Sequence, residues 1–220
     1  SVFCGYETAT QDEAKITAIF VDGKSVETAP AGEKAEIVLD TTPFYGESGG
    51  QTGDTGYLEG DGFRFHVEDT KKPVENFIVH QGVILSGEIK VGAAARLIID
   101  LERRRAIAAN HSGTHLLQAA LKAVLGDHIK QSGSLVNAER LRFDFTHFSR
   151  ISEEELRRVE TIVNDMIRRN VSVQTDVCAL EEALKTGATA VFDEKYGATV
   201  RIVKMGEMSM ELCGGTHVER

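Results

Sequence analysis

Two pairs of side chains at one spacing, His111-x-x-x-His115 and Cys213-x-x-x-His217, constrain this 220-residue chain more than any other feature. A soft thiolate with three imidazoles is a donor set suited to Zn²⁺, a tetrahedral ion bound through S and N. Roughly a hundred residues lie between the pairs. A site assembled from such distant segments belongs to a folded domain rather than to a zinc finger, whose ligands sit within one short loop. The first pair lies in LERRRAIAANHSGTHLLQAALKAVLG, where Ile107, His111, Leu117, Leu121 and Val124 recur at helical intervals and Gly126 supplies a stop. Positions four apart share a helix face, so His111 and His115 can point at a common ion. The second pair stands in ELCGGTHVER, where two glycines favour a tight turn over a helix. Taken singly, each of the four also reads as a satisfied core histidine or a buried thiol. Their matched spacing and complementary softness together favour zinc.

With 41% hydrophobic residues, the chain can bury a core as one large or two small units. No run of about 18 apolar residues appears, so no membrane span is expected. The start, SVFCGYETAT, has neither an initiating Met nor a signal segment, which points to an excised piece of a longer protein. Cys4, Cys178 and Cys213 are an odd count without framework spacing. That argues for a reducing, cytoplasmic compartment and against a disulfide scaffold, with Cys4 and Cys178 as small buried hydrophobes. A net charge of -9 runs against a nucleic-acid partner. The acidic excess lies mostly in the first hundred residues and in SEEE, however, while Arg103, Arg104 and Arg105 lead into the His pair and Arg140 and Arg142 follow it. Such runs read as solvated helix faces that permit an RNA partner without demanding one.

The first half reads as strands between turn signals: KITAIFVDG, AEIVLDTT, FRFHVEDT, FIVHQGVIL and ARLIIDL. A small barrel or sandwich follows. Past about Leu101 helices alternate with strands: the His helix, LRFDF, a helix opening at Ser152 with Glu155 as its capping box, then VSVQTDVC, ALEEALKTG and TVRIVKMG. The expected fold is therefore α+β, with a barrel-like subdomain over 1–100 packed on a two-layer α/β subdomain over 101–220. Between the second and third strands runs TTPFYGESGGQTGDTGYLEGDG, read as one long Gly-rich loop centred on 43–56 and carrying Glu47, Ser48, Gln51 and Asp54. Loops of that length tend to be functional, although a wide hairpin turn fits the composition too. It lacks the Gly-Lys-Ser/Thr ending of a P-loop and the spacing of an EF-hand.

HSGTHLL, ELCGGTHV and PFYGESGGQTGDTG, in that combination, resemble the editing-domain family of the alanyl-tRNA synthetases and the freestanding AlaX-type proteins. FCGYE at the start, QSGSLV, and FDEKYGATVRIV extend the likeness over nearly the whole chain. The threonyl-tRNA synthetase editing domain shares the split His/Cys logic, but is expected to end in Pro-His where this chain has Gly-Gly-Thr-His. The resemblance implies a deacylase that hydrolyses the ester of tRNA(Ala) mischarged with serine or glycine. His111, His115, Cys213 and His217 carry over as Zn²⁺ ligands. Gln131 of QSGSLV carries over as a catalytic pocket residue, and Thr114 as a catalytic residue contacting the serine hydroxyl. Ser48, Gln51 and Asp54 of the Gly-rich loop are the expected further substrate contacts. Thr114 lies three residues after His111 and so near the same helix face, although a helix threonine also commonly bonds back to the main chain.

The implied partners are mischarged tRNA(Ala) and the remaining domains of a parent synthetase, which would supply the ATP-binding and aminoacylation motifs this chain lacks. A freestanding editor stays open as an alternative. So do another metallohydrolase and a non-catalytic, zinc-stabilised RNA-binding module. Ser112 stands where HExxH metalloproteases carry their general-base Glu, which counts against a peptidase. Four protein ligands suggest a closed site, whereas three and an open position would activate water; either one ligand is replaceable, with His217, almost at the chain's end, the first to examine, or zinc mainly positions the aminoacyl group while polar groups of the Gly-rich loop orient a water.

Overall fold

The computed structural model describes residues 1–190 and 197–220; the FDEKY portion of one family motif lies outside the described residues. The chain divides into two units, Ser1–Ser48 with Thr52–Arg104, and Gly49–Gln51 with Arg105–Arg220.

In the first unit, strand Ala94–Ile99 pairs with Gly56–Gly60, followed in order by Phe63–Val74, Phe77–Ser86, Lys34–Leu39 and Thr10–Val21. Thr10–Val21 then pairs back onto Ala94–Ile99, so six strands close into a barrel, every pairing antiparallel. Lys24–Val26 adds a seventh strand beside Thr10–Val21. Of the two architectures open to the sequence, closure selects the barrel, and it leaves the six strands no unpaired edge among themselves. Alternation drives it: Phe63, Phe65 and Val67 turn inward while Arg64 is exposed between them. They join Ile16, Ile19, Ile37, Leu39, Leu58, Ile84 and Leu97 in one apolar core.

One strand corrects the reading of the Gly-rich segment as a single loop. Gly56–Gly60 is a full member of the barrel, paired on both sides. Its five residues, GYLEG, hold too few apolar positions between glycines to register as a period-2 pattern. Just before it, Asp54 is buried against Arg104 in an ion pair, its carboxylate also accepting the Tyr45 backbone N–H at 2.7 Å. The Arg104 guanidinium donates as well to the carbonyls of Gly5 at 2.9 Å and Pro43 at 2.8 Å, anchoring the loop from three sides.

The second unit takes most of helix α1 (Leu101–Leu125), a hairpin of Gln131–Val136 with Leu141–Phe145, helix α2 (Glu153–Arg169), and a three-stranded antiparallel sheet. The sheet joins Val173–Ala179, Thr199–Met205 and Ser209–Leu212, with helix α3 (Leu180–Lys185) after the first strand. The capping box expected at Ser152 is present: its hydroxyl accepts from Glu155 N, and the Glu155 carboxylate accepts from Ser152 N. Leu116 of α1 packs on Val203 and Met205, while Ala120 and Leu121 pack on Ile129 and Val159. Ser209–Leu212, which no sequence pattern had announced, delivers the chain directly to Cys213.

Candidate metal centre

The four donors expected from the sequence come together: the ligand atoms of His111, His115, Cys213 and His217 all lie within 4.8 Å of one another. Helix α1 places His111 and His115 one turn apart, their rings stacked with centroids 5.3 Å apart and planes at 14°. After Leu212 the backbone leaves the sheet, and the Cys213–His217 turn wraps over the stacked rings. Cys213 N donates to Arg201 O at 3.0 Å, and the Arg201 guanidinium donates to the carbonyls of Cys213 and Gly215. A side chain at Gly215 would run into the His111 ring, so only glycine lets the turn sit this close.

Each imidazole is held from behind at Nδ1. His111 Nδ1 lies 2.7 Å from Gln51 Oε1, which already accepts the Thr216 backbone N–H at 2.9 Å. The Thr216 N–H can only donate, which identifies the amide's oxygen end and makes His111 the donor, while Gln51 Nε2 donates to Thr216 Oγ1. His115 Nδ1 meets Glu211 Oε2 at 2.8 Å, and Ser209 Oγ donates to the other carboxylate oxygen. His217 Nδ1 lies 3.2 Å from Ser112 Oγ, which also accepts the Val218 N–H. All three Nε2 atoms are left facing the cluster. Those of His111 and His217 stand 3.4 and 3.3 Å from Cys213 Sγ, while the buried His115 Nε2 has no hydrogen-bond partner.

These donors fit a thiophilic divalent ion. Nitrogen and sulfur bound tetrahedrally at about 2.0 and 2.3 Å stand about 3.5 Å apart, close to the two N···S separations found here. Imidazoles tethered at one nitrogen and presenting the other are the usual support of a metal-bound histidine, and an orphaned buried nitrogen such as His115 Nε2 asks for such a partner.

The protonation states follow from burial and proximity. Burial alone would raise the Cys213 thiol, but contacts with His111, His115 and His217 hold it well below the ordinary value, as thiolate. Burial alone would lower His115, yet the Cys213 sulfur and the Glu211 carboxylate push it up to about 10. His217 is lowered to about 4, mainly by burial against the opposing pull of Cys213, and is neutral. Proton and metal ion compete for the same inward lone pairs.

The other expected site residues have separate placements. Thr114 is buried on α1 and donates to the Asn110 carbonyl at 2.9 Å, the backbone-bonding geometry noted for helix threonines. Gln131 is half-buried at the start of its strand, opposite Phe145. Val136 at the other end of that strand bridges Gln51, so about 16 Å of strand separates Gln131 from the Gln51 backbone. Gln51 is fully buried and touches the cluster directly. Ser48 is exposed in the first unit, where its carbonyl accepts the Tyr45 hydroxyl, and Asp54 is committed to Arg104.

Glu211 and Thr216 support the centre without having been singled out from the sequence, and Ser112, noted there only as standing in place of the HExxH Glu, supports it as well. A carboxylate in SMEL, two residues before a cysteine ligand and flanked by apolar residues, was the available signal for Glu211.

The model of the class II (A) tRNA synthetases matches residues 1–103, and that of the threonyl and alanyl tRNA synthetase second additional domain matches residues 200–220. The alanine–tRNA ligase of Saccharophagus degradans is 54% identical over 99% of the chain, and that of Carboxydothermus hydrogenoformans 52% identical over 98%. The chain belongs to the alanyl-tRNA synthetase family. It spans 25% of the length of each of these relatives. Cys213 and His217 fall within the second matched stretch, and His111 and His115 lie between the two. No helix among the described residues is long and apolar enough to cross a membrane.

Proposed function

We propose that this chain hydrolyses the ester of tRNA(Ala) mischarged with serine or glycine, with His111, His115, Cys213 and His217 holding Zn²⁺, as the editing part of a cytoplasmic alanyl-tRNA synthetase. The observation that carries the reading is the convergence of three Nδ1-tethered imidazoles and one thiolate on a common point. When bound, zinc supplies Lewis acidity toward the aminoacyl group. The chain's own residues hold the donors, orient the amino acid and exclude bulk water. In the reaction a water oxygen bonds to the ester carbon, the bond to the ribose oxygen breaks, and that oxygen leaves with a proton.

Such a site answers a known difficulty. A pocket built for alanine rejects glycine by only about 1–3 kcal/mol, the worth of a methyl group. Thr114 donates its proton to Asn110, so its oxygen keeps lone pairs to accept a hydrogen bond from a serine hydroxyl. Alanine has no hydroxyl to offer. Glycine removal instead requires a pocket too tight for alanine's methyl group. In this scheme Gln131 meets the substrate away from the metal cluster, about 16 Å of strand from the Gln51 backbone, while Gln51 orients His111, Asp54 holds the loop through Arg104, and Ser48 is the exposed loop contact.

The closed set of four protein donors favours one second reading, a structural metal in an RNA-binding module. Deacylation of Ser-, Gly- and Ala-tRNA(Ala) at high protein concentration separates the two. Editing predicts selective release of serine and glycine, lost in Cys213→Ala. Binding without turnover supports the module, and full hydrolysis by metal-stripped Cys213→Ala would overturn the proposed chemistry.

A further inference from the structure

A second group of rings stands on the surface of the second unit and takes no part in the proposed hydrolysis. His128 and His147 stack with centroids 5.1 Å apart and planes at 18°. Phe148 leans against both, at 4.7 Å and 34° to one and 4.9 Å and 35° to the other. Edge contacts hold the imidazoles: His128 Nε2 lies 2.9 Å from His147 Nδ1, and His147 Nε2 lies 3.1 Å from Ser149 Oγ. The two turns that carry the rings are joined just outside the hairpin ladder, where Thr146 N donates to Lys130 O at 3.1 Å. Phe148 is nevertheless 82% exposed. A large ring fixed in place by its neighbours and left in water presents a flat face to something else.

The surroundings select the partner. Phe148 is the one exposed large hydrophobic residue between positions 126 and 151, so the patch is a small set of rings with polar edges rather than a broad apolar surface. Lys130 and Arg150 are exposed beside it, against one carboxylate, Asp127, in the same turn. Of the acids in the first turn of α2, Glu155 is held in the capping box and acts on His147, Glu153 pairs with Arg157, and Glu154 is exposed. Aromatic faces flanked by cations are how proteins take unpaired nucleobases and their phosphates. We propose that the His128–His147–Phe148 face stacks an unpaired base of RNA, with Lys130 and Arg150 toward its backbone.

That this RNA is the single-stranded acceptor end of tRNA rests on the hydrolytic reading above. The rings lie beyond Gln131, about 16 Å of strand from the backbone that meets Gln51, so the stacked base is upstream of the nucleotide that carries the amino acid.

The test is binding of a short single-stranded RNA carrying 2-aminopurine, whose fluorescence is quenched on stacking, alongside deacylation of Ser-tRNA(Ala). Phe148→Ala should weaken binding roughly tenfold and abolish the quench, and Phe148→Tyr should restore both. Wild-type affinity and quench in Phe148→Ala would overturn the platform, including the case in which the face serves a protein partner. Phe148-dependent quenching without any hydrolysis by the wild type would sink the editing reading and leave the platform standing. Hydrolysis with an unaltered KM in Phe148→Ala, and no quench in the wild type, would do the reverse.

Discussion

Glu211 holds His115 by its Nδ1 at 2.8 Å, and the opposite nitrogen of the same ring is buried, without a hydrogen-bond partner, among the other three donors. The carboxylate thereby fixes both the orientation of the imidazole and which nitrogen is presented. Glu211→Ala should lower zinc affinity by about 10- to 100-fold, the usual cost of losing such a support. Competition against a chromophoric chelator measures it, and unchanged affinity would show that Glu211 is only a core residue.

The thiolate gives a spectroscopic handle. With cobalt as the probe, the wild-type chain should bind one ion and develop sulfur-to-metal charge-transfer absorption, absent from Cys213→Ala. Wild-type stoichiometry and spectrum in that variant would mean that the four side chains do not share an ion. Metal removal should also lower the thermal midpoint of the protein, because binding energy at such a site is folding energy.

Gly215→Ala tests how closely the turn must approach α1. The added methyl group meets the His111 ring and lies 2.8 Å from Gln51 Oε1. Zinc binding should fall at least as far as in Glu211→Ala while the helix content of the chain stays intact. A variant with normal affinity would show that the turn can back away from α1 without losing its ligands.

In the barrel, Asp54→Ala should act on stability. Removing one partner of the buried Asp54–Arg104 pair leaves a guanidinium uncompensated, at a cost of about 3–5 kcal/mol in urea unfolding. A variant of normal stability with a raised KM for Ser-tRNA(Ala) would instead make Asp54 a substrate contact.

His80 makes the barrel sensitive to acid. Its ring is buried between the Ile37 carbonyl, 2.9 Å from Nδ1, and Thr42 Oγ1, 2.8 Å from Nε2. Burial lowers its pKa to about 4 against the opposing pull of the Ile37 carbonyl. Because the folded value lies below the unfolded one, stability is complete above about pH 6.5 and is lost as pH falls toward 4, by about 3 kcal/mol in total. Urea titrations across that window, with NMR titration of the ring, check it; an imidazole titrating near 6.5 in the folded protein would refute it.

Much of this was legible in the chain. Period-2 runs located five of the six barrel strands, and the capping box placed the start of α2, because both signals are local and repeat within a few residues. The ligands were legible from chemistry and spacing alone: i and i+4 on a helix share a face wherever that helix lies. Gly56–Gly60 escaped because a five-residue strand between glycines carries almost no pattern; its pairing partners, not its own residues, make it a strand.

What only the tertiary structure decided was the shell behind the ligands. Gln51, Ser112 and Glu211 reach three different histidines from three separate segments, and hydrogen bonds across sequence separations of 60, 105 and 96 residues leave no mark on local periodicity. The sequence could name the donors, since ligand chemistry belongs to the side chain itself. Which nitrogen each imidazole presents depends on what stands behind the ring, and folding alone brings those groups there.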